Sequence, residues 1–514
     1  MTATPERLRR LVVVCGDQLD IDSAAFDGFD PERDAVLMTE AHEEATYVWQ
    51  HKRRLVFFFA AMRAFRDALE ARRIPVIYKA LDDVNPARTL AAGLKAAVEE
   101  FSPHEIILAR PGDYRVLTDL EAAAREVQTP LRLIEEAHFL IGLRAFNALR
   151  EGRKRFILED FYRHMRRQTG YLMADGKPIG GAWNFDKENR HTFRKDGPGL
   201  LPRRKTFPPT DRTQAVIDMV AERFPDAPGS LDNFDEPVTR QDALLALEDF
   251  IRNRLPEFGR YQDAMWEGDS TLYHARISAV MNVKLLNPRE VCNAAIEAFE
   301  QERAPLNAVE GFVRQIIGWR EFTRGIYWAE MPGYAEMNAL AANNDVPDFF
   351  WTGETDMACL RDVLGKLLRT GYAHHIERLM LMGLYLQLHG TNPYQAHIWH
   401  MALYLDAVDW VSLPNMLGMS QHGDDGIVGT KPYCASGAYI GRMGHYCSGC
   451  RYDPKESFGE NACPFTTLYW DFLARHRSKF ATNRRMAFQM KNLSCKDSDT
   501  LRIIRKRAKT LMKI

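Results

Sequence analysis

The sequence contains no hydrophobic run long enough to cross a membrane. Its most apolar stretch, Leu55 to Met62, ends at Arg63, whereas a membrane-spanning helix needs about 20 apolar residues. The first residues also lack the combination of a basic start, an apolar core and a small-residue cleavage site that marks a secretory signal. We therefore expect a cytoplasmic protein without membrane contact, whose 8 cysteines stay reduced and serve metal binding or packing.

Fixed-period repeats and low-complexity tracts are absent as well, which excludes solenoids, propellers and long disordered arrays. A glycine-rich dinucleotide motif is also missing. The first apolar segment is followed by Gly16-Asp17-Gln18-Leu19 and not by G-x-G-x-x-G. We therefore do not expect a phosphate-binding loop for a dinucleotide after the first strand.

Short apolar segments alternate with helical patterns over residues 1–140, which predicts a parallel sheet with crossover helices. The longest predicted helix runs from about Trp49 to Arg72. The predicted strands are Leu11–Cys15, Ala35–Met38, Pro75–Tyr78, Glu105–Leu108 and Leu131–Ile134.

Ligands of such sheets bind beyond the carboxyl ends of the strands. This rule places Asp17, Glu44, Tyr47 and Pro111–Asp113 near a candidate pocket. Turn-forming glycines and surface carboxylates are the simpler explanation of these residues on this pattern alone.

The remaining chain divides into a connecting segment and a helical domain. Between Asp175 and Pro209 the periodicity fades and Gly, Pro, Asn and Asp accumulate, while aromatic residues within 180–186 favour a packed, functional loop. Beyond Asp211 the pattern is helical, and Asn307–Glu310 predicts a capping box. We place the domain boundaries at 1–140, 141–210 and 211–514.

The formal net charge of -1 hides a local basic stripe. Lys and Arg dominate the segment from Arg153 to Lys205. A stripe of this kind fits a polyanion such as nucleic acid. It fits a solvated face with ion pairs along helices equally well.

Three cysteines toward the end of the chain are spaced like metal ligands. Cys447, Cys450 and Cys463 form C-x2-C-x12-C followed by Pro464, and Cys359 is a candidate fourth thiol. Thiolate sets of this kind suit zinc or an iron–sulphur cluster. The Cys-Pro ending favours iron–sulphur, and zinc is the alternative.

Several motifs agree in order with one known family: 304–312 leading into 318–321, Tyr372–His375, 415–421, 429–433 and 436–437. On these motifs the chain resembles the iron–sulphur bacterial cryptochromes and photolyases, also called prokaryotic (6-4) photolyases. The resemblance runs from Gly16 to at least Arg475. It implies the cryptochrome/photolyase fold, with an N-terminal Rossmann-like α/β antenna domain, a linker, and a large all-helical FAD-binding domain that includes a C-terminal [4Fe-4S] cluster region.

The resemblance also implies a carbon–carbon lyase that repairs UV-damaged DNA. Reduced FAD excited by blue light gives one electron to a (6-4) pyrimidine lesion, which rearranges and returns the electron. Because an atom moves between the bases, the reaction needs a proton donor, and histidine suits this role. Family position assigns it to His375, with His374 beside it. Without the resemblance, two adjacent histidines on a helix would more often be structural.

The cofactor ligands follow from the resemblance alone. The flavin would be held by Ser278, Glu310, Arg314, Trp319, Arg320, Asp406 and Asn415. The antenna chromophore 6,7-dimethyl-8-ribityllumazine would lie near Asp17, Glu44 and Tyr47. The cluster ligands would be Cys359, Cys447, Cys450 and Cys463.

Electron transfer and DNA binding are assigned in the same way. Electrons would reach the flavin through Trp351 and Trp399, although His400 stands where relatives often have Tyr. DNA contacts are expected at Arg153, Lys154, Arg190 and Tyr433.

Relatives carry carboxylates that attract a divalent cation near the lesion. Asp186 and Asp263 match them, but Ser412 stands where close relatives have Glu. Losing a carboxylate weakens a site for a hard cation such as Mg²⁺. Mg²⁺ stays a possible cofactor, and we expect repair to depend less on it than in these relatives.

Three other functions stay open. The chain could be a light-sensing cryptochrome that signals without repair, or a photolyase for cyclobutane dimers. A zinc-stabilised nucleic-acid-binding protein is the alternative from a different class. The motifs indicate no protein partner, we expect a monomer, and the basic helix predicted from Thr500 to Lys513 receives no function.

Overall fold

A computed structural model describes residues 7–153, 155–193 and 197–513. Five parallel strands form a sheet in the first domain, in the order β3-β2-β1-β4-β5. They are β1 (Arg10–Val13), β2 (Asp34–Thr39), β3 (Val76–Lys79), β4 (Glu105–Ala109) and β5 (Leu131–Ile134). All five predicted strands are confirmed. Two short antiparallel strands follow later, β6 (Met173–Ala174) and β7 (Lys177–Pro178).

Helices make up most of the remaining structure. They are α1 (His42–Thr46), α2 (Lys52–Ala71), α3 (Leu90–Phe101), α4 (Tyr114–Glu126), α5 (Leu143–Arg150), α6 (Leu158–Thr169), α7 (Asp211–Arg223), α8 (Arg240–Asn253), α9 (Leu255–Tyr261), α10 (Ser278–Asn282), α11 (Pro288–Glu300), α12 (Leu306–Val313), α13 (Glu321–Glu330), α14 (Phe349–Thr352), α15 (Ala358–Thr370), α16 (His375–Glu377), α17 (Leu384–His389), α18 (Pro393–Leu403), α19 (Asp409–Leu413), α20 (Gly437–Met443), α21 (Pro464–Arg475), α22 (Arg477–Ala481), α23 (Ala487–Ser494) and α24 (Ser498–Leu511). No helix among the described residues is both long and apolar enough to cross a membrane.

The sheet is covered on both faces. Side chains alternate along a strand, so Leu11 and Leu37 pack with α3 and α4 while Val12 and Val36 pack with α2. The layer containing α2 continues into the core of the helical domain. The two domains therefore share one hydrophobic core on this side of the sheet.

A buried ion pair also joins the two domains. The Lys284 ammonium lies 2.6 Å from the Glu136 carboxylate, and both side chains are buried. Burial opposes ionisation of Glu136, but the Lys284 charge and hydrogen bond hold the pKa of its carboxyl below the ordinary value. Nearby, the Arg54 guanidinium donates to the Ala407 carbonyl at 2.8 Å.

The expected capping box at Asn307–Glu310 is wrong. Helix α12 begins at Leu306 after Pro305, and no side chain caps it. Because proline sets its own backbone angle for the helix start, Asn307 lies inside the first turn. Its side chain donates instead to the Asn189 Oδ1 at 2.9 Å.

The loop around Trp183 is packed, as predicted. Residues 182–193 and 197–210 contain no helix or strand. The Arg167 guanidinium lies 4.7 Å from the centre of the Trp183 ring, and the Phe185 amide donates to Glu310 at 3.2 Å. These contacts hold the loop against α6 and α12.

Candidate active site

One cavity of about 680 Å³ lies within the helical domain. Three π-helical segments contribute side chains to its wall, at Arg314–Arg320, Arg378–Gly383 and Pro414–Ser420. Hydrogen bonds of the i→i+5 type are rare and concentrate at functional sites. Six of the seven predicted flavin ligands line this cavity: Ser278, Arg314, Trp319, Arg320, Asp406 and Asn415.

Asp406 is the centre of a charged cluster in the cavity wall. Arg378 donates two hydrogen bonds to its carboxylate at 2.9 and 3.0 Å, and the Ser278 hydroxyl donates at 2.5 Å. Burial opposes ionisation, but the Arg378 charge and these hydrogen bonds hold the pKa of Asp406 below its ordinary value. The carboxylate is therefore ionised, and it orients the Arg378 guanidinium at the cavity.

Glu310, the seventh predicted ligand, does not line the cavity. It is fully buried and accepts from the Tyr162 hydroxyl at 2.8 Å. Its carboxylate lies 3.7 Å from the Arg314 Nε, and Arg314 also contacts Asp186. Glu310 thus stabilises the positions of Arg314 and of the Trp183 loop without lining the cavity itself.

Arg320 is a buried cation facing the cavity. It donates to Glu321 at 3.1 Å and lies 2.9 Å from the His138 Nδ1. Burial lowers the pKa of its guanidinium to about 10, although Glu321 opposes the shift. Its Nε, like that of Arg314, is buried without a hydrogen-bond partner among the described residues. Arg314 and Arg320 thus bring two guanidinium groups to the cavity wall.

His375 and His374 occupy different environments. The His375 side chain is open to the cavity, whereas His374 is buried behind it and stacks on His274 at 4.2 Å. The surrounding protein atoms lower the pKa of His375 to about 4, with further repulsion from Arg378 and His274. Burial also lowers the pKa of His374 far below its ordinary value.

The rim of the cavity carries the polar residues expected near the lesion. Asp186, Asp263, Ser412, Arg190 and Tyr433 all line it. Burial raises the pKa of Asp263 to about 6, with Asp186 adding to this shift and Arg190 opposing it. The Ser412 hydroxyl is buried without a hydrogen-bond partner in the described part of the chain.

Of the two other expected DNA contacts, Arg153 is exposed but does not line the cavity. Lys154 lies outside the described residues.

The two predicted redox tryptophans belong to two aromatic pairs, Trp49–Trp351 and Phe350–Trp399, which we together call the aromatic series. Buried Trp399 donates its indole N–H to the Phe350 carbonyl at 3.2 Å and packs on the Phe350 ring at 5.1 Å. Trp351 is the next residue, and its ring lies 5.6 Å from that of Trp49. His400 lines the cavity and stacks on Tyr404 at 4.2 Å.

The predicted antenna residues lie together, as the sheet topology requires. Asp17, Glu44 and Tyr47 line a pocket of about 110 Å³ between the sheet and the helical domain. The Gly112 amide donates to Asp17 at 2.8 Å, and a Cβ at Gly112 would lie only 2.5 Å from that carboxylate. Position 112 therefore accepts only glycine without rearrangement.

Charged groups surround the same pocket. Arg115 makes a bidentate ion pair with Glu44, with both N–O distances 2.8 Å, and its guanidinium lies 4.7 Å from the centre of the Tyr47 ring. Burial raises the pKa of Asp113 to about 7, and the Asp409 carboxylate adds to the shift. The pocket is thus polar on its sheet side and can accept hydrogen bonds from a ligand.

The four cysteines of the expected metal site converge although 88 positions separate Cys359 from Cys447. All four thiols line one small pocket with the apolar side chains Met357, Ile440 and Phe465. Burial and the three neighbouring cysteines raise the pKa of Cys359 well above its ordinary value. Among the described residues, no group of three or more His, Cys, Asp or Glu is arranged to hold a single metal ion.

Three residues of these sites escaped sequence reasoning. Arg378 and Arg485 line the main cavity, and Trp49 extends the aromatic series to a position that is 51% exposed. Arg378 stands only three residues after the 372–375 motif, which was a usable signal. Trp49 and Arg485 carried none, because each is far in sequence from its neighbours in the site.

Comparisons with known proteins show the family of this chain. A family model described as deoxyribodipyrimidine photo-lyase-related protein matches residues 12–235. The (6-4) photolyase of Agrobacterium fabrum is 45% identical over 480 residues, covering 93% of this chain and 94% of that protein.

Two solved structures share the fold. A bacterial class III photolyase from Agrobacterium tumefaciens has a TM-score of 0.57 at 13% identity over 99% of both chains. A cryptochrome of Synechocystis has a TM-score of 0.54 at 11% identity over 99% of this chain and 100% of that one. They confirm the predicted fold.

Proposed function

The chain belongs to the iron–sulphur bacterial cryptochromes and photolyases, and on this basis we propose that it repairs (6-4) lesions of UV-damaged DNA under blue light. The observation that carries the proposal is the cavity in which His375 stands among six of the seven expected flavin ligands. Its volume of about 680 Å³ is in the range of small-molecule sites. FAD is the cofactor that the family implies.

The chain's residues fit FAD. Arg314 and Arg320 place two guanidinium groups on the cavity wall, which suits an anionic group. Reduced FAD, when bound and excited by blue light, supplies one electron to the lesion. Arg378, oriented by Asp406, places a fixed positive charge at the same wall. The apolar side chains Ile316, Met416 and Met419 line the cavity beside these cations and exclude water.

His375 is the proton donor in this proposal. Its side chain lines the cavity, so it can hold a proton for the base that receives the migrating atom. A negatively charged lesion strand in the cavity would raise the pKa of His375 from its value of about 4 in the free protein. His374 serves as a buried support, because it stacks on His274 and does not reach the cavity.

DNA binding brings the lesion to the cavity. Chemistry on a base requires its extrusion from the stack, and the cavity rim offers Arg190 and Tyr433 to receive it. Arg153 and Lys154 belong to the basic stripe that would contact phosphates farther along the duplex. We propose that one chain acts alone, in the cytoplasm with the chromosomal DNA.

We further propose that Cys359, Cys447, Cys450 and Cys463 hold a [4Fe-4S] cluster. The four thiols share one apolar pocket, which fits a group bound by thiolates alone. Tetrahedral zinc at about 2.3 Å from each sulphur would need the thiols roughly 3.8 Å apart. Cys359, Cys447, Cys450 and Cys463 would supply the four thiolates that hold such a [4Fe-4S] cluster, which would be a redox-active centre. Iron and sulphide analysis of protein purified without oxygen tests this, and zinc in place of iron would contradict it.

The pocket at Asp17, Glu44 and Tyr47 is the proposed antenna site for 6,7-dimethyl-8-ribityllumazine. A cleft of about 220 Å³ shares Glu44, Leu90 and Val116 with this pocket, and the two together offer more room than the pocket alone. Chromatography and fluorescence of the chromophores released by denaturation identify the ligand. Release of FAD alone from freshly purified protein would contradict the antenna assignment.

The test of function is blue-light repair of an oligonucleotide with one defined (6-4) lesion, beside one with a cyclobutane dimer. We expect repair of the first only. Repair of the dimer alone would establish the cyclobutane alternative, and repair of neither by flavin-loaded protein would favour a signalling cryptochrome. A protein without flavin absorbance would support the zinc alternative.

A further inference from the structure

The C-terminal segment 482–513 reaches the cavity that holds His375. The segment contains a short 3-10 helix at Arg484–Met486, then α23 and α24, and it packs against α21. Asn483 caps the short helix by accepting from the Arg485 amide at 3.0 Å. This cap fixes the direction in which the Arg485 side chain leaves the backbone.

Two side chains of this segment hold the loop that carries Tyr433. The Asn483 side-chain amide donates to the Thr430 carbonyl at 3.3 Å, and the Arg485 guanidinium donates to the Thr430 hydroxyl. Thr430 and Tyr433 both line the cavity. The segment therefore reaches the cavity rim directly.

Arg485 itself lines the cavity and is exposed. It lies close enough to Tyr433 for its charge to lower the pKa of that phenol, against the larger rise caused by burial, and Arg190 acts in the same direction. Its contact at Thr430 is a neutral hydroxyl, so that contact leaves its charge uncompensated. Two guanidinium groups, Arg190 and Arg485, thus flank Tyr433 on the rim.

The charge of the whole segment fits the same partner. Residues 482–513 contain ten Lys or Arg against two Asp, in a chain of net charge -1. A guanidinium can bind a phosphate group through two parallel hydrogen bonds. One that stands beside an opening for an extruded base is therefore well placed to bind a phosphate of the same strand. A cluster of exposed cations around it adds to the attraction of a polyanion.

We propose that Arg485 binds a backbone phosphate of the DNA strand that enters the cavity, so that the C-terminal segment is part of the DNA-binding face. This inference rests on the proposed function, because it takes DNA as the ligand of the cavity. Arg485 and Arg190, which both line the cavity near Tyr433, then contact the same strand. The segment that had no assigned role supplies a contact next to the lesion.

The test measures binding of a short undamaged duplex by full-length, flavin-loaded protein between 50 and 200 mM salt. Each phosphate contact adds about 0.9 to the slope of log affinity against log salt. Arg485→Gln is expected to reduce that slope by about 0.9 and to weaken binding about tenfold at 50 mM salt. Arg485→Lys should restore most of the slope, since it keeps the charge.

Two matched variants separate phosphate binding from other effects. Arg33→Gln removes an exposed arginine just before β2, at the opposite edge of the sheet from the helical domain, and should leave the slope unchanged. Thr430→Val removes the hydroxyl that holds Arg485 but keeps the charge, so its slope should stay near that of the wild type.

An unchanged slope in Arg485→Gln overturns the proposal. An equal loss of slope in Thr430→Val also overturns it, because Arg485 would then only position the loop. Failure of the wild-type protein to repair a (6-4) lesion is a different result. It would refute the proposed function, while the slope on undamaged DNA still decides the role of Arg485.

Discussion

At the scale of single residues, His375 and His374 differ although they are neighbours in the chain. His374 precedes helix α16 as its N-cap and is buried, while His375 begins the helix and opens onto the cavity. Successive residues at a helix start point in different directions. One histidine can therefore meet substrate while the other packs against His274.

This difference predicts unequal effects of substitution. His375→Ala should lower (6-4) repair by about 10²–10⁴-fold, the usual contribution of a general acid, and leave flavin bound. His374→Ala should retain far more activity, because His374 has no route to the substrate. Single-turnover repair, with flavin absorbance as the control for folding, measures both. Repair by His375→Ala at the wild-type rate would contradict the assignment.

Ser412 and Asp263 predict a weak, pH-dependent cation site. Wild-type repair should change little on adding Mg²⁺, and Ser412→Glu should make it rise severalfold, since the variant adds a carboxylate at the cavity. The pKa of Asp263 is raised to about 6, so the carboxyl is neutral below that pH and ionised above it. Stimulation of the variant should therefore be larger at pH 8 than at pH 5.

Repair rates of both proteins with and without Mg²⁺ at the two pH values test this prediction. Ser412→Ala is the control, because it removes the hydroxyl and adds no charge. Strong stimulation of the wild type would show that the remaining carboxylates suffice.

At the scale of elements, three π-helical segments bring side chains to one cavity. An i→i+5 turn rotates the following residues relative to a regular α-helix, and this lets Arg314, Trp319 and Arg320 share a wall. The π-helical segment at 378–383 likewise brings Arg378 and Leu379 to the cavity wall. Apolar periodicity in the sequence predicts helices here but not their change of hydrogen bonding.

The aromatic series on α14 and α18 predicts the route of electrons to the flavin. Trp399→Phe should reduce light-driven flavin reduction by an external thiol to a small fraction of the wild-type rate. Phenylalanine keeps the packing on Phe350, which lies 5.1 Å away, but is far harder to oxidise. Absorbance changes under blue light give the rate.

Trp328→Phe is the matched control for this series. Trp328 packs on Tyr114 at the edge of the first domain and does not line the cavity. Equal slowing in both variants would contradict the assigned route. Repair by protein that has been chemically reduced beforehand should be unaffected in either variant.

At the scale of the whole molecule, the two domains form one unit. The core beside α2 continues into the helical domain, and the Glu136–Lys284 pair is buried between them. The antenna pocket lies at this junction and has walls from both domains. Its geometry therefore depends on the domains staying together.

Lys284→Met should destabilise the protein by about 3–5 kcal/mol, because it leaves the Glu136 carboxylate buried without its partner. Lys95→Met removes the same charge from an exposed pair with Glu126 and should cost only about 0–1 kcal/mol. Urea unfolding followed by circular dichroism measures both. Equal stability of the two variants would contradict the importance of the buried pair.

Local sequence patterns were sufficient to predict the strands, the helix that begins at Asp211 and the family. These features depend on apolar periodicity and on motifs that lie within a few residues of one another, so local patterns suffice. The capping-box prediction was wrong, which shows that a local motif can also mislead. Helix α12 begins at Leu306, directly after Pro305.

Only the tertiary structure decided which side chains meet. It placed Glu310 behind Arg314, separated His374 from the cavity, and brought Arg485 beside Tyr433 and Trp49 beside Trp351. The physical reason is that these neighbours come from segments that are distant in the chain or depend on a rotation of one helix. Such contacts are set by how the helices pack, which no local pattern of residues encodes.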